Sequence, residues 1–65
     1  MKSYSSREVI RVLEDHGWVL KRVTGSHHIF RHDYCPGTVT VKHPEKDLTR
    51  KTLDSIEKQS GILFR

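Results

Sequence analysis

At 65 residues the chain has room for one domain, residues 1–65, and one small core; a core of that size rarely supplies more than about 3–5 kcal/mol of net stability. Twelve lysines and arginines against eight acidic residues give a formal charge of +4 and a pI near 9.6, a balance that favours a polyanionic partner such as nucleic acid. The lone cysteine, Cys35, excludes an internal disulfide, no Cys-x-x-Cys pair offers a structural zinc site, and no apolar stretch is long enough for an export signal or a bilayer span, so a cytoplasmic protein outside the membrane is expected.

The first element starts at Ser5-Ser6-Arg7-Glu8, where Ser5 and Glu8 stand at capping-box spacing: the serine hydroxyl accepts from the backbone of Glu8 while the glutamate reaches back. A helix is predicted from there to about His16. Val9, Ile10, Val12 and Leu13 form its apolar stripe, Arg7, Arg11, Glu14 and Asp15 its polar side, and Gly17 its left-handed stop. Residues 18–24, Trp-Val-Leu-Lys-Arg-Val-Thr, are rich in β-branched and aromatic residues and read as a strand broken by Gly25. Residues 27–32 read as a second strand, Asp33-Tyr34-Cys35-Pro36-Gly37 as a loop, and Thr38-Val39-Thr40-Val41-Lys42 as a third strand with Val39 and Val41 on one face. His43-Pro44 ends that strand, because proline cannot donate to a ladder. The polar connection Glu45-Lys46-Asp47 then leads to a last helix, capped by Asp47 or Thr49, with Leu53, Ile56 and Leu63 inward and Gly61 at its end. The expected fold is α+β in the order α-β-β-β-α: a three-stranded antiparallel meander with both helices on one face and the other face open.

Alternation along the second strand decides which side chains reach the open face. With Phe30 inward, His28 and His32 share its side and His27, Ile29 and Arg31 are displayed; with Ile29 inward the assignment reverses, and the residues alone are compatible with either. In the first case the open face carries Lys21 from the first strand, His27, Ile29 and Arg31 from the second, and Thr38, Thr40 and Lys42 from the third. It is a basic surface with one imidazole at its edge. An imidazole titrates near neutrality and is able to take a proton from a ribose 2′-hydroxyl; the plainer alternative is a histidine that hydrogen-bonds its own turn. Lys21, Arg31 and Lys42 are candidate phosphate contacts or, equally, a solvated polar face. Gly25 is read as a positive-φ or close-approach position, Ser26 as a turn residue able to donate to a phosphate, and Tyr34 as a loop ring able to stack on a base, with Trp18 and Phe30 assigned to the core. His27, His32 and His43 converge on a metal only if they share a face, and alternation separates His27 from His32, so neither metal nor cofactor is expected.

Several stretches together resemble the HicA family of bacterial toxins over nearly the whole chain. They are Glu14-Asp15-His16-Gly17-Trp18, Gly25-Ser26-His27-His28-Ile29-Phe30-Arg31-His32, Gly37-Thr38-Val39-Thr40-Val41, His43-Pro44 and residues 52–61. The resemblance implies a fold like that of a double-stranded RNA-binding domain, ribosome-independent cleavage of mRNA, and neutralisation by a HicB-type antitoxin, the toxin being a monomer when free and part of a hetero-oligomer in the complex. It also implies that His27, the histidine directly after Gly-Ser, is catalytic. Lys42 and Thr49 stand where many relatives are expected to have proline, and Ser60 where alanine is usual; these positions lie at strand and helix ends, away from the motif. The same residues suit two other functions: a small RNA-binding module without chemistry, and an interaction protein whose open face docks an acidic partner.

Overall fold

The first helix begins where its cap dictates. Ser5 Oγ accepts from Glu8 N at 3.2 Å and Glu8 Oε1 accepts from Ser5 N at 3.0 Å, so two backbone donors that an α-helix leaves orphaned are satisfied reciprocally. This helix, α1, spans Ser6–Asp15 in a computed structural model that describes residues 3–64; Met1, Lys2 and Arg65 of the expected single domain lie outside the described residues. It stops in a Schellman arrangement. Trp18 N donates to Leu13 O and Gly17 N to Glu14 O, each at 3.0 Å, with Gly17 at a φ of 91°, where a side chain would be strained. A Cβ on Gly17 would also stand 2.8 Å from Nε2 of His32.

Three strands follow, β1 (Val19–Thr24), β2 (His27–Arg31) and β3 (Thr38–Lys42), paired antiparallel in the order β1-β2-β3. Trp18, expected to open the first strand, precedes it, and is buried in the core as its assignment there predicts. The last helix, α2 (Arg50–Ser60), is capped by Thr49, whose hydroxyl accepts from Thr52 N, and closed by Gly61 at a φ of 77°, whose N–H donates to Glu57 O. Both helices lie on one side of the sheet. Val9 and Leu13 of α1 and Leu53 and Ile56 of α2 share one core with Phe30, Val39 and Val41. The register is therefore the one with Phe30 inward: Phe30 pairs with Leu20 and Val39, and Phe30 and Val39 are essentially fully buried.

Leu63 was expected to continue the apolar stripe of α2, and the structure corrects this. The helix ends at Ser60, Leu63 is 65% exposed, and Phe64 turns inward to 1% exposure with its ring edge-on to Tyr4 at 5.5 Å. Polar clamps hold that segment: Glu57 Oε2 accepts from Phe64 N at 2.7 Å and from Arg50 Nη2 at 2.8 Å, while Arg50 Nη1 donates to Phe64 O at 2.9 Å. The hydrogen bond that Arg50 donates to Asp54, with a smaller contribution from the one to Glu57, raises the Arg50 pKa against partial desolvation.

Candidate functional site

The β1–β2 hairpin is joined by two residues, Gly25 and Ser26, with Thr24 paired to His27. Gly25 takes the positive φ of 59°, the Gly-first pattern of a type II′ turn, whose twist suits a tight hairpin. Apart from its two chain neighbours, no atom of the described residues lies within 4 Å of where its Cβ would be, so what Gly25 supplies is backbone conformation, not clearance. The turn is pinned from the other side of the sheet. Ser26 O accepts from His43 N at 2.8 Å, just past the end of β3. His27 thus begins β2 on backbone held by both neighbouring strands.

His27 is exposed, and its direct cross-strand partners are Thr24 on β1 and Lys42 on β3. Residues paired across an antiparallel sheet share a face, so the open face carries His27, Ile29 and Arg31 from β2 and Thr38, Thr40 and Lys42 from β3, as alternation predicts. The contribution of β1 differs from expectation. Counted back from the turn, Arg22 stands opposite Ile29 and so on the face of His27, while Lys21 has no cross-strand partner and forms a bulge between the Leu20–Phe30 and Arg22–Ile29 rungs. Without the bulge, Lys21 would fall opposite Phe30, on the helix side; the extra residue lets Leu20 take that rung. The turn was the signal: a two-residue hairpin fixes the register and gives the open face to Arg22.

The cations of this face differ in what already holds them. Arg31 Nη1 is paired with Asp33 at 3.0 Å, and Lys42 Nζ lies 3.8 Å from Glu45. Both pairs are solvent-exposed and weak. Arg22 is exposed and, among the described residues, has no ion pair or side-chain hydrogen bond. Tyr34 is 92% exposed in the loop before β3.

The other histidines belong to the framework. His32 Nε2 donates to His16 O at 2.8 Å, and its Nδ1 accepts from Tyr34 N at 3.0 Å; with both ring nitrogens engaged and Trp18 edge-on at 5.1 Å, it fastens the β2–β3 loop to the end of α1. His43 Nδ1 is 2.6 Å from the buried Ser6 hydroxyl, which also accepts from Glu45 N at 2.9 Å. His28 turns to the helix side, edge-on to His43 at 4.9 Å, with Nδ1 buried and lacking a hydrogen-bond partner among the described residues. Sequence reasoning gave Ser6 no structural role; no periodicity marks a contact 37 residues distant. Among the described residues, no group of three or more His, Cys, Asp or Glu side chains is gathered closely enough to hold a metal ion. A groove of about 710 Å³, lined by Ser5, Ser6, Arg7, His43, Pro44, Glu45 and Lys46, does not include His27. The imidazole stands on a surface that a long substrate can cross.

A solvent-facing imidazole among the lysine and arginine side chains of a helix-backed sheet defines a small α+β protein with a basic open face. The family comparison makes this specific: residues 6–62 match the model described as the HicA toxin of bacterial toxin-antitoxin systems, so the chain belongs to the HicA toxin family. Membership implies toxin function and an antitoxin partner. A search of curated proteins found no match. No helix among the described residues is long and apolar enough to cross a membrane.

Proposed function

We propose that this toxin is an endoribonuclease that cleaves mRNA without help from the ribosome or a metal ion and is neutralised by a HicB-type antitoxin in the cytoplasm. The observation that carries the reading is His27: an exposed imidazole, held by the Gly25-Ser26 turn on a bare sheet face with Lys42 directly across the strand, in a HicA-family chain. RNA supplies its own nucleophile. His27 takes the proton of a ribose 2′-hydroxyl, the 2′-oxygen forms a bond to the adjacent phosphorus, and the bond from phosphorus to the 5′-oxygen breaks. The leaving oxygen takes a proton from solvent, so the products are a 2′,3′-cyclic phosphate and a 5′-hydroxyl, with no change of oxidation state.

Lys42 is positioned to meet the charge that grows on the phosphoryl oxygens, and the Ser26 hydroxyl and Gly25 backbone sit at the turn where the strand would pass. Arg31, further along β2, and Lys21, in the bulge, contribute to the field that draws RNA in. An α-β-β-β-α order with helices on one face supports a fold like that of a double-stranded RNA-binding domain. An antitoxin of complementary charge covering this face would both steer and occlude.

Incubation of purified protein with end-labelled single-stranded RNA in EDTA tests the reading. Fragments ending in cyclic phosphate are expected, and His27→Ala should lower the rate by about 10²–10⁴-fold at unchanged fold and RNA affinity. Intact but bound RNA would establish a binding module without chemistry, and a variant keeping more than roughly a tenth of the activity would remove His27 from its role.

A further inference from the structure

We propose that Arg22 is the side chain that grips the RNA phosphate at His27, a role that the strand pattern alone would give to its neighbour Lys21. The substrate in this inference rests on the endoribonuclease reading; the geometry rests on the hairpin. Two cations neighbour His27 on the open face: Lys42 directly across on β3, on the same rung, and Arg22 diagonally across on β1, two residues along and opposite Ile29. Diagonal pairs on a sheet sit roughly 7–8 Å apart, within reach of a long side chain. Arg31 is four residues along β2 from His27, roughly 13 Å at the usual rise of a strand.

Availability separates these cations further. Arg31 is held by Asp33 and Lys42 stands near Glu45, whereas Arg22 has no such partner among the described residues and projects from strand backbone, not from a loop. Its stem can lie along the partly buried Ile29 across the strand, which limits the entropy lost on ordering. The guanidinium presents parallel N–H donors that match two oxygens of one phosphate, a fit that lysine lacks. With Thr24, uncharged, directly across from His27, a strand crossing the face would place the 2′-hydroxyl at His27 and the adjacent phosphate between Arg22 and Lys42. The turn sets this arrangement, since Arg22 reaches the Ile29 rung by unbroken pairing from Thr24–His27, and the bulge at Lys21 then lets Leu20 take the rung of Phe30.

The test uses a fluorescent single-stranded oligoribonucleotide, with binding measured over a range of NaCl concentrations in His27→Ala protein, where no cleavage intervenes, and cleavage measured separately in His27 protein. Adding Arg22→Ala should weaken binding about tenfold at moderate salt and flatten the logarithmic salt slope by about 0.7, the amount for one phosphate contact on a single strand. Arg22→Lys should keep the slope but not the cleavage rate, since it restores charge without the paired donors; Lys21→Ala should change both far less. Arg22→Ala with an unaltered slope and a rate within threefold of wild type would overturn the inference, as would Lys21→Ala producing the larger loss. If wild-type protein fails to cleave but the Arg22 slope change is present, the enzymatic reading falls and the phosphate contact stands. If wild-type protein neither cleaves nor binds RNA, both fall.

Discussion

The two edge strands of the sheet, β1 and β3, are alike in composition and opposite in condition. Val39 and Val41 of β3 are wholly buried beneath the helices, and the outward N–H of Thr40 is taken by Gln59 Oε1 of α2 at 3.2 Å, so that edge is capped at its centre. All six residues of β1 are exposed; even Leu20 and Val23, which share the helix-side rungs of Phe30 and His28, remain 45% and 48% accessible. The helices cover the β2–β3 side and leave β1 overhanging. Stability is therefore concentrated on the helix-covered face of β2 and β3, while the candidate residues lie on the opposite face and on the overhanging β1, where side chains are free to meet a large substrate and few buried contacts depend on them. In so small a domain this division matters, because a core side chain moved to the surface for function would remove a large share of the total stability.

The sharpest way to break the comparison is Phe30→Ala. Phe30 lies at the centre of the packed half, and truncating a buried phenylalanine typically costs about 3–5 kcal/mol, which equals what a core of this size supplies. Thermal unfolding followed by circular dichroism should show no cooperative transition near room temperature. A variant that still melts cooperatively above about 50 °C would mean that β1 carries far more of the stability than its exposure suggests.

How much of this was readable in the residues follows the same division. Local rules carried the packed half: the Ser5–Glu8 box, the Gly17 stop, the Val39–Val41 alternation and the His43-Pro44 strand end each depend on residues within a few positions of one another. What escaped depends on distant parts of the chain. Phe64 follows a glycine stop and has no helical period to announce it, and its burial is decided by Tyr4 and the Arg50–Glu57 clamp. Ser6 looked like an ordinary first-turn residue, yet it ties α1 to His43 and Glu45. At the candidate site the Gly25-Ser26 turn and the strand starting at His27 are legible in the residues, whereas the exposure of His27 depends on whether Phe30 or Ile29 faces the core, and Arg22 comes to the open face only when pairing is followed back from the turn.

A middle-sized effect belongs to the cap of α1. Ser5→Ala removes the acceptor for Glu8 N and should cost about 1 kcal/mol, lowering the melting temperature by several degrees in a domain of this length while leaving RNA cleavage per folded molecule unchanged. Loss of cleavage without loss of stability would show that the packed half also shapes the site.

The smallest expected effect sharpens the comparison most. Val23→Thr replaces one methyl with a hydroxyl on a strand residue that is half exposed and lies opposite His28. Threonine favours strands as valine does, and its hydroxyl can reach water there, so denaturant unfolding should shift by no more than about 0.5 kcal/mol. The same exchange in a buried position would strand a polar group and cost more. Should Val23→Thr destabilise the protein by more than about 1 kcal/mol, and should that loss grow with protein concentration, β1 must be covered in solution by a second copy. Self-pairing of β1 would bring Lys21 of each strand opposite Arg22 of the other when the strands are centred on that pair, crowding four cations together. The expected result is accordingly a small shift that does not depend on concentration.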